Sequence, residues 1–146
     1  MYVLYINNNT NIIQLCFETE KQCYDEVSNL KCRWYKIHKE KDAKNNYFQK
    51  SFEWDYETND VKINIEKAKE IKKEEYRQLR VDLLNQLDIK YMRALEEGNS
   101  SEVSKIVDFK NKLRNLTQED LPNSESELLY YYPNCISEVL YFLNSK

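Results

Sequence analysis

The stretch that decides the fold is Ile65–Leu116, IEKAKEIKKEEYRQLRVDLLNQLDIKYMRALEEGNSSEVSKIVDFKNKLRNL. It contains the only glycine of the chain, Gly98, and no proline. Glycine closes a helix in the left-handed conformation without a Cβ to clash. Before it, Ala68, Ile71, Tyr76, Leu79, Leu83, Leu87, Tyr91 and Ala94 form an apolar stripe, which Leu84, Ile89, Met92 and Leu95 are expected to widen. The mean step is close to the ~3.6 residues of a straight helix and departs from a strict heptad. After it, Val103, Ile106, Val107, Lys110, Leu113 and Leu116 form a second, shorter stripe. The reading is an antiparallel helical hairpin with unequal arms, the longer on the order of 50 Å.

Leu87, Asp88, Gly98, Leu113 and Arg114 are the structural residues of this hairpin. Arg80 and Asp88 lie near its dry face and Arg114 on the returning arm, so interhelical arginine–carboxylate pairs are expected to set the register. The first half of the long arm is dense in charge (Glu66, Lys67, Lys69, Glu70, Lys72, Lys73, Glu74, Glu75) and reads as an exposed face of mixed-sign pairs. Having no returning helix opposite it, this half requires a partner: the N-terminal sheet, another subunit, or water. Ile65, Ala68, Ile71 and Tyr76 are therefore candidate partner-binding residues. Tyr131 and Tyr132 join them, because the run Tyr130-Tyr131-Tyr132 before Pro133 is too bulky to be buried whole.

Outward from the hairpin, residues 1–63 read as a small α+β unit and 64–146 as the hairpin with a helical tail. Tyr2–Ile6 and Ile12–Phe17 are β-rich runs around an Asn7–Asn11 turn cluster. Thr19 and Gln22 have capping-box spacing, which predicts a helix from Glu20 to Leu30 with Cys23, Val27 and Leu30 on one face. Arg33–His38 alternates as a strand, with Trp34, Lys36 and His38 on one side and Arg33, Tyr35 and Ile37 on the other. Lys39–Asn46 reads as a loop, Tyr47–Tyr56 as a strand with Phe48, Phe52 and Trp54 in phase, and Val61–Ile63 as its return. Asn64 is placed to cap the long helix, and Asn99 with Glu102 the returning one. Ser124 and Glu127 start a further turn of helix, and Ile136, Val139, Leu140 and Leu143 mark a last amphipathic piece. The fold class is α+β: a small N-terminal antiparallel or mixed sheet with a short helix, then a long antiparallel hairpin and short C-terminal helices.

Composition narrows the function classes. The chain has 146 residues, a net charge of −3 and one histidine. Near-balanced charge, with acidic residues interleaving every arginine, argues against nucleic-acid binding, and the absence of an apolar run of about 20 residues argues against a membrane span. The N-terminus carries no leader-like pattern. Cys16, Cys23, Cys32 and Cys135 lack metal-ligand spacing and read as reduced, buried thiols. His38 reads as a surface residue among lysines, and without a second histidine neither a Ser/Cys nucleophile pair nor a two-histidine metal site forms. Paired carboxylates such as Glu74-Glu75 and Glu96-Glu97 point to different sides of a helix. The aromatics Trp34, Tyr35, Tyr47, Phe48, Phe52, Trp54 and Tyr56 read as the core of a small sheet in preference to a stacking platform. No catalytic residue, cofactor site or metal site is predicted.

From Trp54 onward, WDYETNDVKINIEKAKEIKKEEYRQLR and LLNQLDIKYMRALEEGNSSEVSKIVDFKNKLRNLTQ resemble a segment of tailed-bacteriophage tail-fibre and tail-assembly proteins. The matching residues are Ala68, Lys69, Ile71, Arg77, Arg80, Leu87, Asp88, Tyr91, Met92, Ala94, Leu95, Glu96, Gly98, Lys110, Leu113 and Arg114. The resemblance spans about 54–135, and Asn115 stands where that pattern often has Asp. It implies a non-enzymatic tail component, a structural adaptor or assembly chaperone at the fibre or baseplate. Its partner would be a tail or fibre protein or a second copy, in the virion or in the host cytoplasm during assembly. The alternative is a phage-encoded protein directed at a host enzyme or defence system.

Overall fold

The computed structural model describes residues 1–145 and is α+β, in two compact units, Met1–Ala68 and Lys69 onward. In the first unit, β1 (Tyr2–Asn7), β2 (Ile12–Phe17) and β3 (Trp34–Lys39) form an antiparallel sheet in the order β2-β1-β3. Asn8 and Asn9 build the first turn: Asn9 is left-handed at φ 72° and the Asn8 Oδ1 accepts from the Thr10 and Asn11 amides. α1 (Glu20–Leu30) starts at the Thr19–Gln22 capping box with both reciprocal bonds made.

Alternation along the strands sorts the two faces of the sheet. Leu4 and Ile6 pack on Cys23 and Val27 of α1, with Tyr2, Leu15, Phe17, Tyr35 and Ile37 around them. Leu30, expected on that face, is 53% exposed: it is the last residue of α1, immediately before the left-handed turn at Lys31 (φ 52°). Tyr5 and Trp34, on the opposite face, meet a second antiparallel pair, β4 (Phe52–Asp55) and β5 (Asp60–Ile63), through edge contacts Tyr5–Phe52 at 5.8 Å and Trp34–Tyr56 at 5.2 Å.

The expected strand over Tyr47–Tyr56 is therefore shorter than its aromatics. Asn46–Ser51 is a 3₁₀ turn opened by the Asn45 side chain, and only Phe52–Asp55 is extended. Phe48, Phe52 and Trp54 are nonetheless all buried, since the turn delivers Phe48 to the same layer. A short 3₁₀ turn, Glu40–Asp42, also interrupts the expected Lys39–Asn46 loop.

α2 (Ile65–Glu96) opens on Asn64, whose Oδ1 accepts from the Lys67 amide at 3.2 Å. Glu53 of β4 accepts from Lys67 Nζ at 2.8 Å and from Asn64 Nδ2 at 2.9 Å, and these bonds hold its carboxyl below the ordinary range. The first turn of α2 is thereby tied to β4, which is why the units divide after Ala68, one turn beyond the 63/64 boundary read from the sequence.

In the second unit α2 turns back at Gly98 (φ 68°) into α3 (Ser100–Arg114). The amides of Gly98 and Asn99 return to the carbonyls of Leu95 and Ala94 at 3.1 and 2.9 Å, the double bond pattern of a Schellman turn. Asn99 caps α3 by accepting from the Glu102 amide. Leu83, Leu87 and Ala94 of α2 and Ile106, Phe109 and Leu113 of α3 are buried. The antiparallel register is fixed by an ion pair between Asp88 and Lys110 and by Arg80 donating to the Arg114 carbonyl at 3.2 Å. The expected arginine–carboxylate pairing is thus corrected. Lys110, only 13% exposed on the inner edge of α3, takes Asp88 and lies 4.4 Å over the Tyr91 ring, while the Arg114 side chain turns to Asn111.

α4 (Glu125–Tyr130) starts at a Ser124 cap, and α5 (Asn134–Asn144) follows Pro133. α5 runs antiparallel to α3 and along α2, so the hairpin is completed to three helices. Phe142 meets Phe109 at 5.2 Å, Glu138 accepts from Lys112 of α3, and Lys90 of α2 donates to the Phe142 and Ser145 carbonyls at 3.1 and 3.4 Å. Those carbonyls belong to the unsatisfied set at a helix C-terminus, where a cation is favoured. Leu140, expected on the inner side of α5, is 40% exposed, and Cys135 is buried in its stead beside Ile136 and Val139.

Two left-handed residues give a matched test. Lys31 stands where glycine is favoured, so Lys31→Gly should stabilise the chain by about 0.5–1 kcal/mol. Gly98→Ala should cost about 1–2 kcal/mol although nothing lies within 4 Å of the added Cβ, because the strain is in the backbone. Urea unfolding followed by helical ellipticity measures both, and a neutral Gly98→Ala would remove Gly98 as the determinant of the turn.

Candidate interaction site

The inner face of α2 does not end with the hairpin. Lys72 and Tyr76 lie two turns and one turn upstream of Leu79, beyond the reach of α3, and both are buried, Lys72 at 1% exposure and Tyr76 at 0%. What covers them is the link between α4 and α5. Pro133 restricts Tyr132 to extended backbone, and Tyr131 is extended as well (φ −76°, ψ 129°), so α4 stops and its chain end lies open. The Tyr131 carbonyl, left over at a helix end, accepts from the Tyr76 hydroxyl at 2.5 Å.

Tyr132 closes a second circuit. Its hydroxyl donates to Glu75 Oε1 at 2.5 Å, the other Glu75 oxygen holds Lys72 Nζ at 3.0 Å, and Lys72 Nζ sits 4.3 Å over the Tyr132 ring and 5.6 Å from that of Tyr76. The two rings meet at 5.9 Å and 61°. A desolvated ammonium over an aromatic face gains roughly 2 kcal/mol, and the carboxylate supplies the counter-charge that burial of a lysine demands. Burial, and after it the Glu75 charge, raises the Tyr76 hydroxyl well above its ordinary value. Tyr132 is raised too, first by its bond to Glu75.

The candidate partner-binding residues are thus resolved individually. Tyr76 faces an internal partner, the Tyr131 carbonyl and the Tyr132 ring, while the Tyr132 side chain itself remains 43% exposed. Ala68 is fully buried, and Ile65 and Ile71 are half-buried. Lys72, assigned by sequence to an exposed charged face, is instead a buried member of the clasp. The aromatics that face outward most are Tyr130 at the end of α4, 81% exposed, and Tyr141 on α5, 80% exposed. The sequence reading named Tyr130 only within the Tyr130-Tyr131-Tyr132 run and passed over Tyr141; Pro133 two residues after the extended Tyr131 is the signal that separates Tyr130 from its neighbours.

Four residues assigned to widen the inner stripe also change place. Ile89, Met92 and Leu95 are 57%, 55% and 48% exposed, and with Val81 at 56% they form a second apolar stripe on the side of α2 opposite Leu83, Leu87 and Ala94. Leu84, half-buried, lies between the two. Val107 of α3 is likewise 41% exposed, whereas Phe109, which the sequence stripe omits, is buried.

The titratable groups elsewhere are structurally engaged. His38 is no free surface residue: its Nε2 lies 2.8 Å from Asp60 Oδ1, its side chain is 20% exposed, and its ring meets the Tyr5 ring edge-on at 5.8 Å. The pair joins β3 to β5, and Asp60 Oδ1 also accepts from the Val61 amide. Among the described residues no hydroxyl or thiol is hydrogen-bonded to the imidazole. Cys23 and Cys135 are buried, Cys32 is half-buried and Cys16 is exposed, so the expectation of four buried thiols holds for two. Cys135 borders a recess of about 490 Å³ with Lys112, Glu119 and Glu138, and burial pushes its thiol up, against nucleophilic use. Among the described residues, no three His, Cys, Asp or Glu side chains are grouped to hold a metal ion, and no helix is long and apolar enough to cross a membrane.

No protein-family model matches this chain, and neither a curated protein nor a solved structure matches it.

The clasp predicts alkaline sensitivity. A tyrosine whose folded value is raised contributes its full stability below its unfolded value near 10.0 and loses it as pH rises through the folded value. Unfolding free energy should therefore fall above about pH 10, and Tyr76→Phe should flatten that fall. At neutral pH the same change should cost about 1–3 kcal/mol by orphaning the Tyr131 carbonyl. Denaturant midpoints at pH 7 and 10.5 give both numbers.

Proposed function

We propose that the chain is a non-enzymatic binding protein of a bacteriophage tail, an adaptor or assembly protein that holds a tail or fibre protein through the exposed aromatics of its helical unit. The observation that carries the reading is the contrast inside one tyrosine run. The Tyr131 carbonyl and the Tyr132 hydroxyl are engaged in the clasp, with the Tyr132 side chain still 43% exposed, and Tyr130 is left 81% exposed on a short helix that the clasp anchors. Tyrosine loses little side-chain entropy on binding and offers both a large apolar ring and a hydroxyl, which is why it recurs among residues dominating interfaces. Tyr141 offers the same chemistry on α5. The phage assignment is supported by the resemblance over 54–135, whose quoted residues include the hairpin-forming Leu87, Asp88, Gly98, Lys110 and Leu113.

Co-expression with the tail and fibre proteins of the encoding phage tests the reading. A tail protein should co-purify with the wild-type chain, and Tyr130→Ala with Tyr141→Ala should weaken that capture at least tenfold without shifting the denaturant midpoint. Recovery of a host enzyme and no tail protein from infected cells would overturn it in favour of host-directed binding. Mass spectrometry of purified virions assigns the role: peptides of the chain in the particle mark an adaptor, their absence a chaperone.

A further inference from the structure

The outward stripe of α2 is ordered in a way that fits a copy of itself. Val81, Ile89, Met92 and Leu95 are each about half exposed and lie within one side of the helix, opposite the inner face. On one flank of that stripe sit Asp82 and Arg93, eleven positions apart and hence three turns along the same line of the helix. Among the described residues neither side chain has a hydrogen-bond or ion-pair partner. The midpoint of Asp82 and Arg93 falls between Leu87 and Asp88, and the midpoint of the stripe, Val81 to Leu95, falls at Asp88.

We infer that the chain forms a homodimer by antiparallel pairing of two α2 helices about a two-fold axis beside Leu87 and Asp88. In an antiparallel two-fold pair, residues on one flank meet residues on the same flank of the partner at mirrored distances from the axis. Asp82 of each copy then meets Arg93 of the other, giving two equivalent charge pairs. The apolar residues interleave: Ile89 packs against its own counterpart as the apolar residue nearest the axis, and Val81 of one copy settles between Met92 and Leu95 of the other. Two groups near the axis are polar. Asp88 is already paired with Lys110 of its own chain, so two ion pairs and not two bare carboxylates face each other there. Asn85 lies in the seam, where a single polar residue selects one register at some cost in stability. A foreign partner would have no reason to match both the spacing of the charges and the centre of the stripe; a second copy matches both by symmetry.

This builds on the reading of the chain as a binding protein but uses a different face from Tyr130 and Tyr141, so the two fail separately. Sedimentation equilibrium and light scattering on the purified full chain should give twice the chain mass at about 10 µM, a concentration at which a specific interface of ordinary quality is occupied. Ile89→Glu should return the monomer mass, with a dissociation constant raised at least 100-fold and an unchanged denaturant midpoint of the monomer. Asp82→Arg alone should weaken the dimer about tenfold, and Asp82→Arg with Arg93→Asp should restore it. A wild-type monomer at 100 µM would overturn the proposal. So would a dimer that survives Ile89→Glu, or one that the double charge reversal fails to restore. An Ile89→Glu monomer that still captures the tail protein leaves the function standing. A dimer with no tail partner leaves the dimer standing alone.

Discussion

The burial of the Lys72 ammonium is the constraint on which the helical unit depends. A lysine at 1% exposure is tolerable only if its charge is answered at once, and the answers come from two directions. Glu75, one turn along the same helix, supplies the counter-charge, and Tyr132, far away in sequence, supplies the aromatic face and a hydroxyl for Glu75. Neither alone suffices. An exposed Lys–Glu pair on a solvated helix is worth a few tenths of a kcal/mol. Buried and joined to Tyr132, this pair is instead the anchor of the segment where α4 stops and α5 begins.

From that anchor the rest of the unit follows. Fixing Tyr131 and Tyr132 against α2 at one end sets α5 along the groove between α2 and α3, and Lys90 holds its far end through the Phe142 and Ser145 carbonyls. The two polar attachments bracket an apolar middle of Phe109, Phe142, Ile136 and Val139. The polar ends fix position along the helix, since a hydrogen bond fails when its donor is displaced by a turn, and the apolar middle provides most of the favourable free energy. An antiparallel hairpin with one overlong arm is unstable as a two-helix object; the third helix resolves it within the chain.

Much of this was legible residue by residue. Thr19 with Gln22, Asn64, Asn99 and Ser124 each carry a side-chain oxygen three positions before a free helical amide, a purely local fact, and each caps the helix it announces. Gly98 is legible for the same reason. The two faces of β3 follow from alternation alone. What was not legible depends on residues distant in sequence. Lys72 is chemically the same residue as Lys69 or Lys73, and its burial comes with a ring, that of Tyr132, that lies sixty positions away in sequence. Ile89, Met92 and Leu95 sit within an apolar run whose inner half is set by where α3 and α5 lie, so periodicity on one helix could not divide the run into an inner and an outer stripe. The His38–Asp60 pair joins two strands from different hairpins, and no spacing rule relates them.

The same division bears on what the molecule does. Residues that sequence marks as apolar and that the fold then leaves outside are informative because the fold had an inner face to offer and did not use it for them. Val81, Ile89, Met92 and Leu95 share a helix with Leu83, Leu87 and Ala94, a few ångströms from a core that has room only for the latter. Tyr130 adjoins two tyrosines that the clasp engages, through the Tyr131 carbonyl and the Tyr132 hydroxyl. In both places the apolar group is held out on a rigid support: a long helix clamped by two others, and a short helix ended by a proline. Rigid presentation removes most of the ordering cost that a flexible segment would bear on binding. A surface built this way is suited to holding other protein surfaces in fixed geometry, and because the two patches share no side chain, the proposed self-association and the proposed partner capture do not compete for the same residues.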